Sequence, residues 1–265
     1  MSTTSIAYHN EIASGYDESY RAPFWKIYNA ITWDYIESLL PEEKDDSLIL
    51  DAGGGTGLWA IKIAESGYRV ILTDIAERML DVARRKIGDR GLTDSVTVQT
   101  SDITDMSQFD DECFALSLAE GDAVSYCDNP EKAIAELARV TESGGHVTVS
   151  VDNKLNWVAA YLRQGKIKMA EELLATGKTP IRIKTKAGFD SFPGTMFTIE
   201  ELKELFRMND LEPLKAVGKP VLTTFNECLD DPEIFRRFVE LELVWSTDPW
   251  LAGRGGHIAL IGRKI

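Results

Sequence analysis

Residues 48–57 have the sequence Leu-Ile-Leu-Asp-Ala-Gly-Gly-Gly-Thr-Gly, a short apolar run that ends in a glycine-rich turn. The next nine residues, 58–66, place apolar side chains at helical spacing. This order predicts a buried strand, a tight turn and a helix. Glycines let a ligand approach the backbone closely, and the free N–H groups at the start of the helix favour an anionic group.

The same alternation of strand and helix continues to residue 152. Apolar runs of strand length occur at 68–73, 95–100, 113–119 and 146–151, separated by segments of helical period. The last of these helices would begin at Pro130 and end at Gly144-Gly145. Such repeated βαβ units are typical of a parallel sheet covered by helices on both faces.

Acidic residues follow the predicted strands. They are Asp51, Asp74, Asp102, Glu120, Asp122 and Asp152. Because ligands of open parallel sheets bind outside the carboxyl ends of the strands, we expect these side chains to meet at one edge and to mark the site.

The rest of the chain surrounds this core, in four segments. Residues 1–40 hold two predicted helices rich in aromatic residues and would form a lid, and residues 41–152 form the cofactor-binding core. Residues 153–193 would be a cap insertion, with a helix at 154–176 that Gly165 would break and a less regular part at 178–193. Residues 194–265 return to the core, with a helical excursion within 219–255.

Three shorter patterns are expected inside residues 194–265. Thr198 with Glu201 forms the capping-box spacing of a helix over 197–209, and residues 212–218 and 256–262 are predicted to be closing strands. The whole prediction is an α/β fold, doubly wound, with a mostly parallel seven-stranded sheet.

Charge and composition exclude several classes of protein. The chain has 29 Lys and Arg against 43 Asp and Glu, a formal charge of −14, which argues against a nucleic-acid partner even though residues 153–186 are locally basic. The three cysteines and three histidines lack the spacing of a metal site, so no metal is predicted. Without a signal-type N-terminus or a long apolar window, we expect a cytoplasmic protein that does not bind membranes.

The glycine-rich turn allows two cofactors. Gly55-Thr-Gly57-Leu-Trp-Ala60 satisfies the G-x-G-x-x-A pattern of dinucleotide-binding proteins, and Asp74 suits ribose hydroxyls under either interpretation. Asp51 would repel a pyrophosphate, but it could attract the ammonium of an amino acid or orient the loop. Since Asp102 can also accept from an exocyclic amine, the residues describe S-adenosylmethionine better than NAD.

Four segments resemble, in order and spacing, the successive motifs of Rossmann-like S-adenosylmethionine-dependent methyltransferases. They are residues 48–57, 73–83, 101–103 and 138–145. Residues 8–17 and 119–126 resemble the lid and the segment after the fourth strand in the small-molecule branch of that family. The resemblance covers residues 8–152 well and the tail, at 197–203 and 256–263, only loosely.

This resemblance implies roles for individual residues. Around the methionine part it places the glycines Gly53, Gly55 and Gly57, with Asp51 near the amino group. It also places Glu120, which follows the fourth strand, beside the methionine part, and Tyr16 of the lid where it would close the pocket. Around the nucleoside it places Asp74 on the ribose, Ile75 on the adenine, and Asp102 with the Ile103 backbone at the adenine edge. Met79, on the helix that follows Asp74, completes the predicted cofactor set.

Methyl transfer from a sulfonium is an in-line displacement in which positive charge is lost, so the protein mainly supplies alignment and a dry cavity. A base is needed only for some acceptors, and the candidates are Glu120, Asp122, His257 and Tyr16. The leading hypothesis is a methyltransferase acting on a small molecule. The alternatives are an NAD(P)-dependent oxidoreductase and a non-catalytic S-adenosylmethionine-binding protein.

Overall fold

A computed structural model describes residues 2–186, 188–222 and 231–265. Within these residues the strands are β1 (Leu48–Ala52), β2 (Arg69–Asp74), β3 (Val96–Thr100), β4 (Phe114–Ala119), β5 (Thr141–Asp152), β6 (Lys178–Thr185), β7 (Gly188–Thr195), β8 (Leu211–Lys219) and β9 (His257–Lys264). Seven of them form one sheet in the order β3-β2-β1-β4-β5-β9-β8. Strands β1 to β5 are parallel, and β9 is antiparallel to both β5 and β8. The predicted doubly wound, mostly parallel seven-stranded sheet is confirmed.

The helices pack on both faces of this sheet. They are α1 (Thr3–Ile12), α2 (Tyr16–Ser19), α3 (Pro23–Leu39), α4 (Leu58–Glu65), α5 (Glu77–Asp89), α6 (Ala123–Tyr126), α7 (Pro130–Val140), α8 (Lys154–Arg163), α9 (Ile167–Thr176), α10 (Ile199–Arg207) and α11 (Pro232–Trp245). On one face α3, α4 and α5 share a hydrophobic core, and on the other α7 and α10 share a second. The neighbours Ile49 and Leu50 on β1 point into opposite cores, as the two-residue period of a strand requires.

The end of α7 differs from the prediction. The helix ends at Val140 and β5 already begins at Thr141, so Gly144 and Gly145 lie inside the strand and do not end the helix. The pairing of β5 with β4 shifts register at this point. A Cβ atom on Gly145 would lie 2.8 Å from the Ala115 carbonyl oxygen, so the glycine there permits a close approach of two backbones.

The lid and the cap insertion contain more regular structure than predicted. The lid has three helices, α1 to α3, where two were expected. Gly165 separates α8 from α9 as expected, but residues 178–185 and 188–195 form the antiparallel pair β6–β7, which we call the hairpin, so the expectation of a less regular segment is wrong. Pro180 pairs with Pro193 across the hairpin, and prolines of this kind weaken the sequence signal of a strand.

The C-terminal part follows its prediction more closely. Helix α10 begins with the full capping box of Thr198 and Glu201, and α11 lies within the predicted excursion. Residues 223–230 of that excursion lie outside the described residues. No helix in the described parts of the chain is long and apolar enough to cross a membrane.

Candidate active site

The turn between β1 and α4 holds its shape through glycine conformations and backbone contacts. Gly53, Gly55 and Gly57 have φ of +70°, +56° and +79°, a region that favours glycine. Gly55 N–H donates to Asp74 Oδ2 at 2.9 Å, which ties the turn to the end of β2. A Cβ atom on Gly53 would lie 2.6 Å from the Ala123 Cβ, so the missing side chain keeps this wall open.

Asp51 lies beneath this turn. Its Oδ2 accepts from the Ala60 N–H at 3.0 Å, in the first turn of α4, while its buried Oδ1 has no hydrogen-bond partner among the described residues. Burial raises the pKa of Asp51 to about 7. The residue does not line either cavity described below, so its position favours orientation of the loop over the direct cofactor contact that the resemblance implies.

A narrow cavity opens at the carboxyl ends of β1, β2 and β3. Of the predicted cofactor residues it is lined by Tyr16, Gly53, Gly55, Asp74, Ile75, Met79, Asp102 and Ile103. The sequence analysis did not select five further lining residues, which are His9, Ser101, Gly121, Ala123 and Tyr126. This cavity, which we call the nucleoside-side cavity, therefore brings together residues of three of the four motifs, 48–57, 73–83 and 101–103, with Tyr16 of the lid.

The two carboxylates of this cavity are held by neighbouring backbone. Asp74 Oδ1 accepts from the Ala76 N–H at 2.8 Å, and burial raises the pKa of Asp74. Asp102 Oδ1 accepts from both the N–H and the hydroxyl of Thr104. Each carboxylate is thus fixed in place at the end of its strand.

A second cavity, of about 320 Å³, lies on the other side of the glycine turn. Its walls include Tyr20, Tyr28, Asn29, Trp59 and Glu120, and it shares Tyr16, Gly53, Gly55 and Gly121 with the first. The hydroxyls of Tyr16 and Tyr20 lie 2.7 Å apart. Burial raises the pKa of Tyr16, and that of Tyr20 to about 12, so both are neutral phenols at physiological pH. We call this space the acceptor-side cavity.

Glu120 is buried in the wall of the acceptor-side cavity, and its oxygens are fully engaged. Its Oε2 accepts from Tyr35 at 2.6 Å and from Lys219 Nζ at 2.9 Å, and its Oε1 accepts from Thr148 at 2.8 Å. Burial lowers the pKa of Lys219, and the Glu120 carboxylate opposes this effect. Sequence reasoning missed Lys219, because it lies 99 residues from Glu120 and carries no motif.

Asp122 and His257 form an ion pair that lines neither cavity. Asp122 has a left-handed φ of +67°, unusual for a residue other than glycine, and His257 Nδ1 lies 2.9 Å from its Oδ2. Burial alone would lower the pKa of His257, but the Asp122 carboxylate outweighs it and raises that pKa. The imidazole also contacts the rings of Trp25 and Tyr28 at centroid distances of 5.6 and 5.2 Å.

Asp152 joins this pair, so that three groups of metal-ligand type have donor atoms within 4.8 Å of one another. The sequence analysis expects Asp122 and Asp152 to meet at one edge of the sheet but predicts no cluster of the two with His257. Protein groups already occupy it: Asp152 accepts from Tyr126 at 2.8 Å and from Trp157 Nε1 at 3.0 Å, and His257 is paired with Asp122. We therefore interpret the cluster as an ion pair with an adjacent hydrogen-bonded carboxylate.

The lid is fastened over both cavities. Asp17, next to Tyr16, accepts from the Thr56 hydroxyl at 2.5 Å and from Lys86 Nζ at 2.7 Å. On the nucleoside side, Phe192 of β7 contacts the rings of Tyr8 and Tyr126. The β6–β7 hairpin thus packs against α1 and against Tyr126, which lines the nucleoside-side cavity.

Comparison with known proteins agrees with this geometry. Residues 49–145 match the family model of a methyltransferase domain. Two curated relatives are a demethylmenaquinone methyltransferase of Bacteroides fragilis, 28% identical over 143 residues (53% of this chain and 52% of the relative), and a tRNA 5-carboxymethoxyuridine methyltransferase of Escherichia coli, 39% identical over 72 residues (27% and 28%). The chain thus spans about half the length of the first of these relatives and less of the second.

A solved structure shows the same fold. It is an S-adenosylmethionine-dependent methyltransferase of Methanosarcina mazei, 19% identical, with a TM-score of 0.63 over 87% of this chain and 97% of the other. At this identity the likeness concerns the fold alone.

Proposed function

We propose that this chain transfers a methyl group from S-adenosylmethionine to a small-molecule acceptor, since residues 49–145 match the family model of a methyltransferase domain. One observation carries the proposal: residues of three of the four motifs, 48–57, 73–83 and 101–103, line a single cavity at the ends of β1, β2 and β3. That edge is where open parallel sheets bind their ligands.

The nucleoside-side cavity suits the adenosine part of the cofactor. Asp74 would accept from the ribose hydroxyls, Asp102 and the Ile103 backbone would contact the adenine edge, and Ile75 and Met79 would pack on the ring. The methionine part would cross the glycine turn into the acceptor-side cavity. At that crossing a Cβ atom on Gly55 would lie 3.3 Å from Met79 Cε, so the turn forms a cradle that a side chain would narrow.

The bound cofactor would supply a methyl group on a positively charged sulfur. The chain contributes alignment and exclusion of water, through Tyr16 at the junction of the cavities and the lid that Asp17 fastens. For an acceptor that must lose a proton, the predicted bases Asp122 and His257 are not assigned the role, because they are paired with each other and line neither cavity. Glu120 is held by three donors, two hydroxyls and an ammonium, and is therefore better suited to fixing the wall than to accepting a proton.

A small acceptor is favoured over RNA by charge and enclosure. The chain carries a net charge of −14, whereas binding of a phosphate backbone requires clustered cations. Contacts of the lid and the hairpin also enclose the site, through Phe192 with Tyr8 and Tyr126 and through Asp17 with Thr56. Transfer of a radiolabelled methyl group to bulk tRNA by the purified chain would contradict this part of the proposal.

Calorimetric titration with S-adenosylhomocysteine tests the cofactor without knowledge of the acceptor. We expect micromolar binding by the wild type and at least tenfold weaker binding by Asp74→Asn, a loss of about 1.4 kcal/mol. Asp89→Asn, an exposed substitution at the far end of α5, is the matched control and should bind as the wild type does. Binding of NAD(H) with no response to S-adenosylhomocysteine would reinstate the oxidoreductase alternative.

A further inference from the structure

The pair formed by Lys219 and Glu120 is the most deeply buried ion pair in the described chain. Both side chains have 0% exposure, whereas every other Lys or Arg pair keeps at least one partner partly exposed. Removing two charges from water costs several kcal/mol per ion, and such pairs often contribute no net stability. A pair of this kind in the wall of a ligand cavity therefore calls for an explanation beyond folding.

The contacts of Lys219 fix its ammonium in place. Its Nζ lies 2.9 Å from Glu120 Oε2, 3.0 Å from the Tyr35 hydroxyl and 3.2 Å from the Thr32 hydroxyl, which uses all three of its donors. It also lies 4.1 Å from the centroid of the Tyr28 ring. Lys219 is thus a fixed positive charge behind two residues, Glu120 and Tyr28, that line the acceptor-side cavity.

We infer that Lys219 is a positioning residue that cancels the charge of Glu120, so that the cavity wall carries no net charge where the cofactor sulfur would lie. This inference rests on the proposed function, which places the methionine part of the cofactor at this wall. Methyl transfer removes the positive charge of the sulfonium. An uncompensated carboxylate beside it would stabilise the bound reactant more than the transition state, and would therefore slow transfer.

The two forms of the cofactor provide a direct probe of this charge. S-adenosylmethionine has a cationic sulfur and S-adenosylhomocysteine a neutral one, while the rest of the two molecules offers the same recognition groups. A change in wall charge alters the ratio of their dissociation constants, whereas a general loosening of the site weakens both ligands alike.

The experiment compares this ratio in purified full-length variants by calorimetry. In Glu120→Gln the buried Lys219 loses the carboxylate that favours its protonated form, so the titrations are made at pH 6 as well as pH 8. At pH 6, where the uncompensated ammonium is favoured, we expect S-adenosylmethionine to weaken at least tenfold relative to S-adenosylhomocysteine. In the double variant E120Q/K219M the wall is neutral again, and the ratio should return to within about threefold of the wild type. If E120Q does not fold, K219M is measured in its place, and its excess carboxylate should shift the ratio at least tenfold in the opposite direction.

Lys154→Met is the matched control, because Lys154 is a second buried lysine, paired with Glu201, that lines neither cavity. Its ratio should equal that of the wild type. Equal weakening of both ligands in E120Q, or a ratio that the double variant does not restore, overturns the inference. A wild type that binds neither ligand would instead contradict the proposed function.

Discussion

Asp51 shows how a single buried atom makes folding depend on pH. Its Oδ1 is buried without a partner, and its pKa is about 7 in the folded chain, against about 4 for an exposed aspartate. The folded state therefore keeps a proton that the unfolded state loses. The protonated Asp51 carboxyl contributes fully to the free energy of unfolding below about pH 4. This contribution is lost as the pH rises to 7, and the loss amounts to up to roughly 4 kcal/mol.

We expect Asp51→Asn to remove this dependence, because an amide keeps an acceptor for the Ala60 N–H and does not titrate. Urea unfolding without ligand, at pH 5 and pH 8, measures the effect as the difference between variant and wild type. The variant should gain clearly more stability relative to the wild type at pH 8 than at pH 5. The exposed Asp46→Asn is the control, and an equal pH dependence in wild type and D51N would show that Asp51 does not carry the proton.

The lid helices are held by contacts that contribute little to the stability of the fold but keep the lid closed over the cavities. Asp17 of α2 accepts from Thr56 and Lys86, but its side chain is 49% exposed, so the pair should contribute less than about 1 kcal/mol to stability. Asp17→Ala should therefore unfold at nearly the same urea concentration as the wild type. It should release S-adenosylhomocysteine about three to ten times faster, because the lid opens more often.

Stopped-flow dissociation measures this effect. The control is Glu18→Ala, which removes the adjacent carboxylate and only an exposed contact to Arg21 at 3.6 Å. Equal release rates in the two variants would mean that α2 does not limit ligand exit.

Helix α10 and the β6–β7 hairpin show which elements a sequence can predict. The capping box at Thr198 is local, so its signal is complete within four residues, and the helix begins there as predicted. Buried and exposed side chains alternate along β6 as expected of a strand. Thr179 and Ile183 are buried, whereas Lys178 and Arg182 are exposed. The prolines of the hairpin and the strong local charge obscured that pattern, since strand pairing depends on a partner segment that propensity does not describe.

The same distinction holds for the site as a whole. Residues at the ends of parallel strands could be predicted to meet because topology alone brings them together, as the cavity lined by Asp74, Ile75 and Asp102 shows. The Lys219–Glu120 and His257–Asp122 pairs could not be predicted. They depend on how the two C-terminal strands pack beside β5 and against the lid, and no short-range pattern records that packing.

At the scale of the whole molecule, ligand binding should couple segments that the sequence separates by more than 170 residues. Helix α1 and the hairpin meet over the nucleoside-side cavity through the Tyr8 and Phe192 rings, and the Lys186 N–H donates to Glu11 at 2.7 Å. We expect a ligand that fills this cavity to hold both α1 and the hairpin in the closed position. Amide hydrogens in such surface segments exchange through local opening. We therefore expect S-adenosylhomocysteine to slow amide exchange at least tenfold in residues 3–19 and 188–195, as well as in the glycine turn.

Hydrogen exchange followed by mass spectrometry, with and without S-adenosylhomocysteine, measures this coupling. Helix α11, which packs on α3 and lines neither cavity, serves as the internal reference and should exchange at an unchanged rate. Protection confined to the turn and to the ends of β2 and β3 would show that α1 and the hairpin move independently of the ligand. Protection of both segments would mean that the lid and the cap insertion close as one unit, through the contact of Tyr8 with Phe192 and the hydrogen bond from Lys186 N–H to Glu11.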